Sequence, residues 1–129
     1  MGVSPLLRET LYAMGAGRTA LGLAPFVAPE LLSRRLGFPA AHDNPSARLL
    51  ARLFGVRDIG LGVLAVWATA DASRLPFMAL FQAAADAGDI LSAAIPLIRR
   101  QGIDRAAIAT IAFASVGLVA WLGVWVVSR

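Results

Sequence analysis

Four ionisable side chains lie inside stretches that otherwise read as membrane-spanning helix. Arg57 and Asp58 sit in LFGVRDIGLGVLAVWATA, and Asp86 and Asp89 sit in FMALFQAAADAGDILSAAIPLI. A charge at that depth costs about 2.5–3.5 kcal/mol on insertion scales. A chain that keeps such groups pairs them with one another, sets them around a polar cavity, or uses them chemically. Few folds allow this, because a backbone in lipid must satisfy its own hydrogen bonds as helix or closed barrel.

Composition points to helix in lipid. Of 129 residues, 58% are hydrophobic, against about 45–50% in a soluble domain. Mean hydropathy is +0.70. The length allows one domain, residues 1–129. With no Cys and one His, thiolate metal sites, iron–sulfur clusters and disulfides are excluded, and no cofactor or metal is expected. The net charge of +4 does not signal nucleic acid. The basic residues are all Arg and cluster at the ends of apolar runs, the pattern of membrane flanks rather than of a basic stripe interleaved with aromatics.

The expected fold is all-α: a bundle of four transmembrane helices with a short interfacial helix between spans 1 and 2. Residues 106–127 are an uncharged run of the length a bilayer needs. Residues 75–98 form the third span and 53–70 the second. The first, 10–28, contains Arg18 and Pro25, so three spans plus a peripheral first helix is the alternative. A cleaved signal sequence fits poorly, since Glu9 and Arg18 fall where such segments avoid charge. Between spans 1 and 2, Pro29-Glu30 starts a short amphipathic helix and Gly37 with Pro39 stops it. Asn44-Pro45 reads as the cap and first turn of span 2. His42 is expected as a solvated loop residue.

The Arg-rich connections should face the cytoplasm of a plasma membrane, with both termini outside. Tyr12, Trp67, Phe77, Trp121 and Trp125 then fall at the outer ends of their helices, as an aromatic belt would.

Helical geometry gathers the charges. At about 1.5 Å per residue, Arg18, Arg57, Asp58, Asp86 and Asp89 lie between roughly 8 and 18 Å from the cytoplasmic end, with Arg57 and Asp58 shallowest. Asp86 and Asp89 share one face of span 3, which Gln82 extends. The expected arrangement has Arg57 bridging the carboxylates of span 3 while Asp58 reaches Arg18. Gly15, Gly17, Gly22, Gly55, Gly60 and Gly62 let helices approach and leave room beside the charges. Span 4 reads as a lipid-facing or packing helix.

Three functions remain open. The first is binding or converting a lipophilic small molecule, with Asp86, Asp89, Arg57 and Asp58 in acid–base roles such as epoxide opening or isomerisation, and Arg18, Gln82 and Gly62 in binding. The second is an accessory or structural subunit, as a homodimer or with a larger membrane partner, whose charges are interhelical ion pairs. The third is a proton-coupled carrier using Asp86. No phosphate-binding Gly loop, GxSxG elbow or HExxH motif is present.

The run FGVRDIGLGVLA, the Gly-rich first span ending in Pro29-Glu30 with Leu36-Gly37-Phe38 after it, and DAGDIL in span 3 resemble the family catalogued as domain of unknown function 4267. The resemblance covers the chain from span 1 to span 4. Its sharpest part is Gly55-Val56-Arg57-Asp58 with Gly62, and Asp89. It implies small four-helix membrane proteins and no particular activity.

Overall fold

The computed structural model describes residues 2–129, and among these all regular structure is helical. Four long helices, α1 (Pro5–Val27), α3 (Pro45–Ala68), α4 (Leu75–Ile98) and α5 (Asp104–Ser128), are joined by short turns and one short helix, α2 (Pro29–Leu36). Each long helix extends about 35 Å at 1.5 Å per residue. Two of them, in segments Ala72–Ile98 and Asp104–Ser128, are long and apolar enough to cross a membrane. Helices α1 and α3 have the length but are less apolar.

Local chemistry sets the boundaries. The Ser4 hydroxyl accepts from the Leu7 amide at 3.3 Å and Pro5 opens α1. Pro29 disfavours helical geometry at the residue before it, and Ala28 leaves the helix at φ −133°, ψ 63°. Helix α2 ends at Gly37, whose φ of 90° is left-handed. There the Phe38 amide reaches the Ser33 carbonyl at 3.0 Å. Asn44 caps α3 by accepting from the Ala47 amide at 2.9 Å, as the sequence predicts.

Helix α3 starts at residue 45, where Asn44-Pro45 marks it, and α1 at residue 5, so both helices extend beyond the expected spans 53–70 and 10–28. Arg48 and Arg52 do not interrupt α3, because a charged side chain costs a helix nothing when it reaches water near the end. Arg57 and Asp58 are therefore not near the start of their helix. They lie at the middle of α3, about 18 Å from its start.

The long helices form two antiparallel pairs, α1 on α3 and α4 on α5. The first pair is glycine-cut. Gly15 lies against Gly62 and Gly22 against Gly55, so a Cβ at any of the four would strike the opposite backbone. Both helices repeat glycine at an interval of seven residues, which keeps them on one face over two turns. Gly17 and Gly60 face open space and take no part. The α4–α5 pair uses Ala83, Ala93, Ala106, Ala107 and Ala114 in the same way, all of them buried.

Large apolar side chains point outward. Val63, Phe77, Leu91, Phe113, Val116 and Val119 are exposed, whereas Arg18, Asp58, Gln82 and Asp86 are buried. This inverts the soluble pattern. The tight core sits at one end of the bundle, where Leu11, Ala65, Ala68, Leu75, Met78, Ala79, Trp121 and Val124 pack together. Trp121 is thus a core residue, 2% exposed, and not a belt residue. Tyr12, Trp67 and Phe77 at the same end are exposed.

Candidate functional site

The five charges that the sequence sets within apolar runs converge. Arg18 on α1 donates from Nη1 and Nη2 to the Asp86 carboxylate on α4, at 3.1 and 2.9 Å. Arg57 on α3 makes the same two-pronged contact with Asp89 on α4, with both bonds 2.8 Å. Asp58 lies between them. Its Oδ1 accepts from Arg57 Nη2 at 3.3 Å and stands 3.5 Å from Arg18 Nε. That last approach is an ion pair without hydrogen-bond geometry, so Arg18 Nε lacks a hydrogen-bonding partner among the described residues. The result is a continuous chain, Asp86–Arg18–Asp58–Arg57–Asp89. Such two-pronged guanidinium–carboxylate contacts are the strong and geometrically selective kind.

Span 3 therefore divides its carboxylates between two arginines. Arg57 takes Asp89 alone, and Asp86 goes to Arg18, the partner expected for Asp58 only. Asp86 and Asp89 are three residues apart, enough rotation for one to face α1 and the other α3. All five residues lie within three positions of the midpoints of their helices, so the chain occupies one layer at mid-height.

This layer joins the two helix pairs. Arg18, Arg57 and Asp58 belong to α1–α3, and Asp86 and Asp89 belong to α4. Backbones of α3 and α4 approach each other much less closely than those within the pairs, so long side chains span the gap. Gln82 spans it one turn away, donating from Nε2 to the Leu61 carbonyl at 2.6 Å while its buried Oε1 stays without a partner among the described residues. Gly62 lies in the α1–α3 seam beside Thr19 and Gly15.

Helix α5 contributes a residue that sequence reading passed over. Gly117, one position past the middle of α5, faces the Asp86 carboxylate so closely that a Cβ there would overlap Oδ2. Its only sequence signal is a glycine in the middle of an otherwise bulky apolar span.

Below the layer, at the Arg-rich end, the bundle opens into a cavity of about 630 Å³. Its walls come from the end of α1, α2, the following turn, α3, α4 and the start of α5. Pro25, Leu32, Leu36, Phe38, Phe54 and Ala93 make most of the surface apolar, and Asp89, Ser92, Ser33 and Thr110 add polar groups. Asp89 links the cavity to the charged layer, and the Arg57 guanidinium lies 4.5 Å above the Phe54 ring centroid. Asp86, Asp58, Arg18 and Gln82 do not line the cavity.

Helix α2 and the turn after it cover one side. They are fastened by Arg48, which donates to Asp43 at 2.8 and 3.1 Å and meets Glu30 at 2.8 Å. The Arg48 hydrogen bonds hold the Asp43 carboxyl below the usual carboxylate range, against a smaller opposing effect of burial. His42 is exposed, as expected for a loop residue, and stands at the mouth. No group of three or more metal-ligating side chains exists among the described residues.

The chain belongs to the family described as Domain of unknown function (DUF4267), which matches residues 15–126. That span contains the whole charged layer and every wall of the cavity. No curated protein and no solved structure gives a significant match.

Proposed function

We propose that this member of the family crosses the plasma membrane four times, with both termini outside, and binds a lipophilic small molecule in the cavity beside Asp89. Acid–base conversion of that molecule, such as epoxide opening or isomerisation, is the reaction class the residues suit. The observation that carries the reading is the cavity itself. A volume of about 630 Å³ lies within the usual range for small-molecule pockets, about 300–1,000 Å³, and an apolar wall with a few convergent polar groups is their usual character. The outward-facing apolar side chains of all four long helices support four spans, because a charge buried in the interior does not prevent a helix from facing lipid.

Asp89 is the residue placed to touch a ligand, with Arg57 fixing its orientation. Asp86 and Arg18 brace the layer from behind, so their earlier assignment to acid–base and binding roles becomes a positioning role in this proposal. Each Asp89 oxygen already accepts from Arg57 and keeps a further lone pair for a ligand proton or water.

A second reading, an accessory subunit or homodimer held by interhelical ion pairs, is favoured by one observation: the charged chain crosses the gap between the two helix pairs. A proton-coupled carrier is the weakest proposal, because both Asp86 oxygens are engaged by Arg18.

The test is titration of a lipophilic fluorophore into the purified protein in nanodiscs, with Ala93→Phe and Ala51→Phe as variants that fill the cavity. One-to-one binding in the wild type, lost in both variants without loss of helical content, is expected. Unchanged binding in both variants would overturn the cavity reading.

A further inference from the structure

The charged side chains at the cavity constrain the ligand: two carboxylates, Asp43 and Asp89, line it against one guanidinium, Arg48. Arg48, and Arg57 which holds Asp89, are each already paired with two carboxylates. Arg48 directs Nε and Nη2 to Asp43 and Nη1 to Glu30. Arg57 directs both Nη atoms to Asp89 and shares one with Asp58. About two N–H groups remain on each arginine, and the carboxylates keep acceptor capacity beside them, because a carboxylate offers about four lone-pair sites and its arginine uses only some of them. Asp43 and Asp89 both line the cavity.

Formal charge agrees with hydrogen bonding. The inner chain holds two arginines against three aspartates, Asp58, Asp86 and Asp89, which sums to −1. The outer cluster holds Arg48 against Glu30 and Asp43, with Arg34 also acting on Asp43. An anionic ligand would meet two carboxylates and a guanidinium already paired with Asp43 and Glu30. A neutral ligand would leave the inner excess charge as it is. A cation with N–H donors satisfies the acceptors and the charge together. The other arginines at the rim, such as Arg35 and Arg100, are exposed to water, where salt screens charge over about 8 Å.

The geometry points to an amphiphile whose polar end is a protonated amine, seated against Asp89 with its hydrocarbon along Leu32, Leu36, Phe38 and Phe54. This rests on the cavity being a ligand site and names the class of molecule that site takes.

The experiment displaces the bound fluorophore, in nanodiscs of zwitterionic lipid at pH 7, with three probes of one chain length: dodecylamine, dodecanol and dodecanoate. Dodecylamine is expected to bind at least ~10-fold more tightly than either of the others, a difference of about 1.4 kcal/mol. Asp89→Asn leaves the inner chain with two charges of each sign. It should reduce the amine preference to about two-fold or less while dodecanol binding is kept, on the same scale. Should Asp89→Asn fail to fold, Asp43→Asn, in the turn outside the long helices, should still reduce the preference. Equal binding of the three probes, a preference for dodecanoate, or an amine preference that survives these substitutions overturns the amine assignment and leaves the lipophile site standing. Failure of every probe to displace the fluorophore overturns both.

Discussion

Replacing Arg18 by Met tests the arithmetic of the buried layer. The substitution keeps an unbranched apolar stem and removes the guanidinium. It deletes two hydrogen bonds to Asp86 and the 3.5 Å approach to Asp58. It leaves three carboxylates against one arginine, two of them buried, at 6% exposure each. Breaking a buried pair by removing one partner costs about 3–5 kcal/mol, since the abandoned charge keeps its desolvation penalty. Neutral hydrogen bonds between membrane helices average only about 0.6 kcal/mol, so a loss of this size would come from charge. Asp86→Asn is the contrasting change. It leaves Arg18 and Arg57 balanced by Asp58 and Asp89, and Asn can still accept one of the two Arg18 bonds. Its cost should be about 1–2 kcal/mol, the range for a hydrogen bond that loses its charge on one side. Equilibrium unfolding in mixed micelles, followed by circular dichroism, measures both. Arg18→Met should be the more destabilising by about 2 kcal/mol or more. Equal costs, or a larger cost for Asp86→Asn, would refute the claim that the layer carries one acid in excess.

The glycines divide into two groups with opposite outcomes. Gly22→Ala and Gly55→Ala should destabilise, by about 1–3 kcal/mol as overpacking does, because each added Cβ meets backbone across the α1–α3 seam. Gly17→Ala and Gly60→Ala, with open space around them, should instead stabilise by about 0.5–1 kcal/mol through backbone entropy; thermal unfolding of the four variants checks the sign. Gly117→Ala should disturb the Arg18–Asp86 contact by crowding the Asp86 carboxylate, and its cost should shrink in an Asp86→Ala background, which a double-mutant cycle measures. The strap formed by α2 and its turn should loosen in acid. Asp43 has a folded pKa below its unfolded value, so its contribution is present above about pH 3.9 and is lost as pH falls through the lower folded value. Hydrogen exchange of residues 37–43 should accelerate below about pH 4, and Asp43→Asn should abolish that step.

Much of the architecture was legible because its signals are local. Pro29, Gly37 and Asn44-Pro45 mark helix ends by backbone geometry, and the structure places the ends there. The convergence of Arg18, Arg57, Asp58, Asp86 and Asp89 was legible because a charge in an apolar helix has few other ways to be satisfied. The position of Arg57 and Asp58 at the middle of α3 was not, since Arg48 and Arg52 look like span flanks whether or not the helix continues through them. The helix pairing was only half visible. Glycine at an interval of seven residues in both α1 and α3 carries the seam, yet Gly17 and Gly60 look identical in sequence and face open space. Trp121 and Trp125 are both near a helix end, and only the rotation of α5 decides that Trp121 enters the core. The cavity had no sequence signal, because it is a space left between elements distant in the chain.

The central claim, that a lipophile occupies the cavity beside Asp89, is met most directly by thiol protection. The chain has no cysteine, so Ser92→Cys in the cavity wall and Leu91→Cys on the outward face of the same helix, where Leu91 is 69% exposed, each introduce a unique reactive group. Labelling by a membrane-permeant maleimide is followed in vesicles with and without saturating dodecanol. The account predicts that dodecanol slows modification at position 92 by at least ~10-fold, the occupancy effect expected well above the dissociation constant, and leaves position 91 unchanged. Equal rates at position 92 with and without dodecanol, or equal slowing at both positions, would contradict it.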